Sequence, residues 1–224
     1  MNEAYSMFCN HVVAIGDVHG CASLLREAIR PHLGSGAELI FLGDLIDRSP
    51  EPDGDREVIE LVQELQSNPT AHGLTHVTVL RGNHEQMLLD ALEEQCRGEA
   101  TELWEWNGGE PSFLPAAKDH ENWLGSLPLT VIRGDYLFVH AGVRPGLPLE
   151  EQEAEDLLWI RHPFLKKDHG LPYTVVHGHT FQSDYTVTRL PHRIGIDTGA
   201  FISGKLTALA LPLHSSDREK AITG

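Results

Sequence analysis

The sequence predicts an α/β fold on three observations. Short apolar runs end repeatedly in a glycine and then polar residues, the segments after the first three runs carry apolar positions at helical spacing, and the second half alternates as antiparallel strands do. The first run, residues 12–15, ends in Gly16-Asp17-Val18-His19-Gly20. Ser23-Leu24-Leu25-Arg26-Glu27-Ala28-Ile29 then has helical spacing, and Pro31 limits its length, which completes a βα unit. The second run, 38–42, ends in Gly43-Asp44-Leu45-Ile46-Asp47-Arg48, and beyond a loop through Pro50, Pro52 and Gly54 a helical stripe is formed by Val58, Ile59, Leu61, Val62 and Leu65. The third, 76–80, leads through Gly82-Asn83-His84-Glu85 into a helix that buries Met87, Leu88, Ala91 and Leu92. Three consecutive βα units imply right-handed crossovers and a parallel sheet whose loops emerge along one edge, where ligands of α/β folds bind.

From about residue 97 to 122 the pattern dissolves into Trp104, Trp106, Asn107-Gly108-Gly109 and two prolines. This stretch is expected to be an inserted lobe or lid beside the site; otherwise its tryptophans fill a small satellite core. Residues 129–133 and 136–140 flank Gly134-Asp135, a hairpin signal. The acidic run 150–156 reads as a solvated helix face. A further apolar run ends in His177-Gly178-His179-Thr180, and strands at 185–190, 193–196 and 206–211 are expected to build a second, mostly antiparallel sheet, with 212–224 as a tail.

A length of 224 residues suits one α/β domain with an inserted lobe. The net charge of −16 argues against nucleic acid or an anionic membrane as partner, because phosphate backbones are held by excess Lys and Arg. Cys9, Cys21 and Cys96 are too few and scattered for a disulfide framework or a thiolate zinc site, so a reducing cytoplasm is the expected location. The first residues carry neither a basic start nor a long apolar run, and no uninterrupted apolar stretch is long enough to span a bilayer.

Asp17, His19, Asp44, Asn83, His140 and His179 form an oxygen-and-nitrogen ligand set offered by five strand ends, enough for two metals. Carboxylates and imidazoles without thiolates suit manganese, iron or zinc, whereas calcium would want oxygens alone. Any one of these motifs by itself is an ordinary turn; the joint pattern is what points to chemistry. His177 and His179 are both candidates for the last ligand, and the glycine before His179 favours the latter because a missing Cβ lets backbone approach a site.

Taken in order, Gly16-Asp17-Val18-His19-Gly20, Gly43-Asp44-Leu45-Ile46-Asp47-Arg48, Gly82-Asn83-His84-Glu85, His140-Ala141-Gly142 and Gly178-His179-Thr180 resemble the successive motifs of the phosphoprotein phosphatase branch of the metallophosphoesterases. Arg81-Gly82-Asn83-His84-Glu85-Gln86-Met87, Asn107-Gly108-Gly109, Trp159-Ile160-Arg161 and Ile196-Asp197-Thr198-Gly199-Ala200 are most similar to the bacteriophage-lambda type of serine/threonine protein phosphatase. The resemblance spans about residues 12–210 and implies a four-layer αββα sandwich over one catalytic domain, 1–224. It implies two divalent ions, manganese foremost with iron or zinc as alternatives, the first held by Asp17, His19 and Asp44 and the second by Asp44, Asn83, His140 and His179. A bridging hydroxide then attacks phosphorus in line, Arg48 and Arg161 hold the phosphoryl oxygens, and His84, oriented by Asp47, protonates the leaving group. Arg161 has a blander alternative, a salt bridge to the acidic run. The implied activity is hydrolysis of phosphomonoesters, with phosphoserine and phosphothreonine in proteins favoured and phosphotyrosine admitted. The alternatives are a symmetrical dinucleoside tetraphosphate hydrolase with the same dinuclear site, and a catalytically silent metal-binding scaffold.

Overall fold

A computed structural model of the chain describes residues 11–95 and 97–213; Cys9, Cys96, His214 and the expected tail beyond 213 lie outside the described residues. The three βα units form as the spacing predicts: β1 (His11–Ile15) with α1 (Ala22–Ile29), β2 (Glu38–Phe41) with α2 (Gly54–Ser67), and β3 (His76–Val79) with α3 (Asn83–Glu93). The pairs β1–β2 and β2–β3 are parallel, so the three loops that follow these strands leave the sheet at one edge. Residues 97–126 are helical rather than irregular, with α4 (Glu99–Trp106), a 3-10 turn (Pro111–Phe113) and α5 (Leu114–Ser126). The prolines that hid this segment sit at helix starts, where the missing N–H costs no intrahelical bond.

The hairpin is β4 (Thr130–Arg133) and β5 (Tyr136–Val139), followed by α6 (Ala154–Trp159), β6 (Thr174–His177), β7 (Thr188–Arg189), β8 (Arg193–Gly195), α7 (Ala200–Ser203) and β9 (Ala208–Pro212). Two expectations for this half are corrected. The second sheet, in order β4-β5-β6-β8-β7, is mixed, because β5–β6 and β6–β8 run parallel through long crossovers. The last strand does not join it; β9 pairs antiparallel with β1 and closes the first sheet, with Pro212 opposite His11.

Strand alternation sorts the core into layers. Val12, Ala14, Ile40 and Leu42 of the first sheet meet Phe138, Val176 and Ile194 of the second between the two sheets. The opposite face of the first sheet, through Val13, Ile15, Leu39, Phe41, Val77 and Val79, packs on the helices, and that of the second, through Leu137, Val139 and Val175, on Leu157 and Ile160. Helix, sheet, sheet, helix is the four-layer sandwich the resemblance implied. Trp104 belongs to the large helix-side core and is fully buried, whereas Trp106 stands 86% exposed. The acidic run is not uniformly solvated either, since Asp156 is buried and takes both Nε and Nη2 of Arg144 at 2.5 Å.

Candidate functional site

The carboxyl ends of β1, β2, β3, β5 and β6 bring Asp17, His19, Asp44, Asn83, His84, His140 and His179 together, each at least nine-tenths buried. The turns that do this are strained: His19, Asp44, Asp47, Arg48 and His179 all have positive φ, between 48° and 67°. Non-glycine residues hold such angles at a cost of about 1–2 kcal/mol each, and strain of this kind collects at functional sites. The turn after β2 is tied to that after β1 by the Val18 and His19 N–H groups, both donating to the Asp44 carbonyl at 2.9 Å. Glu85, fully buried, accepts from the N–H groups of Asp44, Leu45 and Gly82 and fixes the turn after β2 to that after β3. Close approach demands glycine at two points. A Cβ on Gly43, at φ +97°, would lie 2.4 Å from the Gly82 nitrogen, and one on Gly178 would lie 2.0 Å from Asp17 Oδ1.

Asp44 stands at the centre. Its Oδ2 is 3.7 Å from His19 Nε2 and 4.0 Å from His84 Nε2, while its Oδ1 is 3.3 Å from His140 Nε2. Two clusters of potential ligands therefore share this residue: His19, Asp44 and His84, and Asp44, His140 and His179, with the ligand atoms of each within 4.8 Å of one another. Asn83 Oδ1 joins the second, 2.8 Å from His140 Nε2 and 2.9 Å from His179 Nδ1. Asp17 reaches the centre through Oδ2, which accepts the His179 N–H at 2.9 Å, and its buried Oδ1 has no hydrogen-bond partner.

The protonation pattern fits divalent cations. The Leu42 carbonyl can only accept, so His140 Nδ1 carries the proton at 2.9 Å, and likewise His19 Nδ1 toward the Ile46 carbonyl. Burial lowers both imidazoles, His140 to about 4, so each is neutral and presents a bare Nε2. The His140 lone pair then faces two acceptors, Asn83 Oδ1 and Asp44 Oδ1, an arrangement that repels unless a cation lies among them. Burial also raises Asp17 well above the ordinary carboxylate range, helped by the charge of Asp197, and lifts Asp44 to about 6. A site this rich in desolvated negative charge and neutral imidazole suits two cations sharing Asp44.

The remaining expected residues flank this centre. His84 Nδ1 and Asp47 Oδ2 share a hydrogen bond at 2.7 Å, and Trp104 Nε1 spans both Asp47 oxygens at 3.0 and 3.1 Å. Burial pushes Asp47 up to about 8, against the pull of the Trp104 N–H and Arg48, and burial lowers His84. Arg48 is held by its Nε donating to the Asn107 carbonyl at 2.9 Å, by its own N–H on the Gly108 carbonyl, and by the Phe201 ring 5.3 Å from its Cζ. Arg161 is exposed at the mouth with Nε 3.3 Å from His179 Nε2; the acidic run pairs with Arg144 instead. His177 faces away from the centre, with both ring nitrogens engaged, on the Gly178 carbonyl and on Arg193.

Several contributors carried no assignment from sequence. Glu85, Asn107 and Asp197 all sit inside motifs quoted for the resemblance, so the signal was present and unused. Trp104, in the stretch expected to form a lobe beside the site or else a small satellite core, packs in the large helix-side core and also donates a hydrogen bond into the site. Asp197 lines the central cavity, about 70 Å³, together with Trp159 and Phe181.

Asp55, in the first turn of α2, is buried with Oδ1 unpartnered. Burial and the nearby Asp47 charge raise its carboxyl from 3.8 to about 7, against the opposing Asp47 N–H. The fold prefers its protonated form, so this contribution to stability is complete below pH 3.8 and vanishes as pH climbs through about 7. Asp55→Asn is therefore expected to raise the melting temperature of the metal-free chain by several degrees at pH 8 and hardly at all at pH 4, linkage capping the gain at about 4 kcal/mol. An equal shift at both pH values in scanning fluorimetry would contradict this origin.

Residues 11–197 match the family model described as calcineurin-like phosphoesterase. The chain is 30% identical to serine/threonine-protein phosphatase 1 of Salmonella typhimurium strain LT2 over 218 residues, covering 88% of this chain and 90% of that protein. It is 28% identical to a symmetrical bis(5'-nucleosyl)-tetraphosphatase of Janthinobacterium sp. strain Marseille, covering 70% of this chain and 55% of that one. Among solved structures it is similar to a cold-active protein-tyrosine phosphatase of a psychrophilic Shewanella species, with a TM-score of 0.67 at 18% identity over 91% of this chain and 76% of that chain.

Proposed function

Because the chain belongs to the calcineurin-like phosphoesterase family, we propose that it is a metal-dependent phosphatase whose substrates are phosphoserine and phosphothreonine in proteins, with phosphotyrosine admitted. It is a phosphoric ester hydrolase, and the observation that carries the reading is the single buried Asp44 shared by two ligand clusters beside two arginines. In this reading Asp17, His19 and Asp44 hold one ion and Asp44, Asn83, His140 and His179 the other. Bound there, two divalent ions, manganese foremost with iron or zinc as alternatives, supply an ionised water near neutral pH and neutralise phosphoryl oxygens. Arg48 and Arg161 grip those oxygens as guanidinium forks, Arg48 already immobilised by the Asn107 and Gly108 carbonyls. His84 presents Nε2 to the centre and protonates the departing ester oxygen, with Asp47 and Trp104 fixing its ring. We read the described residues as one catalytic domain in which the 97–122 lobe walls the site.

The cavity of about 70 Å³ supports a large substrate that lends the site only its phosphoryl group. Pockets that engulf a whole small molecule run to about 300 Å³ or more. The tetraphosphatase relative supports a second reading, hydrolysis of dinucleoside polyphosphates at the same centre. Side-by-side turnover of phosphoserine peptides and a dinucleoside tetraphosphate with manganese supplied tests the choice. Higher kcat/KM on the peptides supports the first reading and the reverse supports the second. Metal-dependent turnover of either removes the silent-scaffold alternative.

Among the described residues no helix is long and apolar enough to cross a membrane. We place the enzyme in the cytoplasm on its few, scattered cysteines. The charge of −16 opposes dianionic substrates at long range. Between 20 and 200 mM salt, kcat/KM for a phosphopeptide is expected to rise about two- to fivefold as screening shortens that field. A steep fall would reveal a local basic docking surface.

A further inference from the structure

Behind the candidate centre lies a buried cation that the chemistry above does not use. Arg193, on β8, is 5% exposed and has no carboxylate within ion-pair distance among the described residues. Its Nη2 donates to the Leu165 carbonyl at 3.0 Å, its Nε is buried without a partner, and the Phe164 ring lies 5.9 Å from its Cζ. Taking an arginine out of water without a counter-ion is costly, so its remaining contact is informative. That contact is Nη1 to His177 Nε2 at 3.2 Å. Arginine can only donate, so Nε2 is bare and the ring proton sits on Nδ1, which donates to the Gly178 carbonyl at 3.0 Å. The sheet makes room for this pairing: Gly195, opposite His177, has no side chain, and a Cβ there would lie 3.1 Å from the His177 ring.

The Gly178 carbonyl belongs to the peptide that joins Gly178 to His179. That peptide sets His179 at φ +63°, turns its ring toward Asn83, and aims its N–H at Asp17 Oδ2. We propose that Arg193 is a positioning residue for the candidate metal centre, holding His177 in the one tautomer that can bind the Gly178 carbonyl and thereby fixing the turn that presents His179 and Asp17. Without the guanidinium the ring is free to carry its proton on Nε2, which turns a lone pair on the carbonyl and loosens the turn, leaving that carbonyl the Thr180 N–H at 2.7 Å as its other donor. Partners of this outer kind are typically worth about 10–100-fold in metal affinity. The proposal rests on the reading of His179 and Asp17 as ligands.

The test is manganese binding by calorimetry to the full chain and three variants. Arg193→Met keeps the apolar packing and removes the donor; it should bind manganese at least tenfold more weakly while remaining folded by circular dichroism. Arg193→Lys keeps a donor and should stay within about threefold of wild type. Arg193→Met combined with His177→Asn should also return to within about threefold, because the Asn Nδ2–H group donates to the Gly178 carbonyl whatever the neighbour. Wild-type affinity in Arg193→Met, or no recovery in the double variant, overturns the proposal. If Arg193→Met does not fold, His177→Asn must keep the affinity and His177→Phe must lose tenfold, and equal affinities overturn it. A wild-type chain that binds no manganese overturns instead the metal-centre reading on which the proposal stands.

Discussion

Asp44→Asn is expected to lower kcat/KM on an aryl phosphate on the order of a thousandfold, since even the outer partners of metal ligands are worth about 10–100-fold and this residue is placed to ligate twice. The geometry explains the size: Oδ2 faces His19 and His84 while Oδ1 faces His140, so one substitution removes charge from both clusters. Asparagine keeps the shape and the acceptor for the His84 N–H, which now donates to Asp44 Oδ1 at 3.1 Å. The metal-free variant should therefore melt no lower than wild type at pH 7.5, because a neutral amide replaces a buried charge. The same variant should lose the rise in melting temperature that manganese gives the wild type. A variant that unfolds without metal would show the loss to be structural, and one that keeps full activity would remove Asp44 from the centre.

The second large effect belongs to His84. His84→Asn should reduce kcat for a phosphoserine peptide by about 10²–10⁴-fold, the range of a positioned general acid, and for p-nitrophenyl phosphate by about tenfold or less. Serine's alkoxide is a poor leaving group that needs the proton, whereas nitrophenolate departs unaided. The ring is placed for this by Asp47 on Nδ1, itself pinned by Trp104, and by burial that excludes water. Equal losses on the two substrates would mean that His84 serves the centre in another way, as a ligand for instance, which its membership of the His19 and Asp44 cluster would explain.

What could be read from sequence follows the range of the interactions involved. The first three βα units were legible because each is local: an apolar run, a glycine, and a helical stripe such as Val58, Ile59, Val62 and Leu65 within the next turns. The gathering of Asp17, His19, Asp44, Asn83, His140 and His179 was legible because each follows a strand, and parallel neighbours deliver their ends to one edge. Sheet membership late in the chain was not. Nothing in residues 206–211 says that they return to β1, since pairing is decided by a partner almost the whole chain away. The direction of β8 was equally hidden, because its connection from β6 lacks a helical pattern to mark a crossover. The helices of the lobe were obscured by Pro111 and Pro115, which begin helical turns there rather than break them. Trp104 reaching Asp47, and Arg193 reaching His177, are contacts between side chains far apart in sequence that no spacing rule encodes.

Counting the divalent ions that the purified chain holds after saturation with manganese and removal of the excess tests the central claim directly. Loops from five strands caging two cations around one shared carboxylate require two ions per wild-type chain and fewer than one in Asp44→Asn. One ion or none in the wild type, or two retained in the variant, would contradict it.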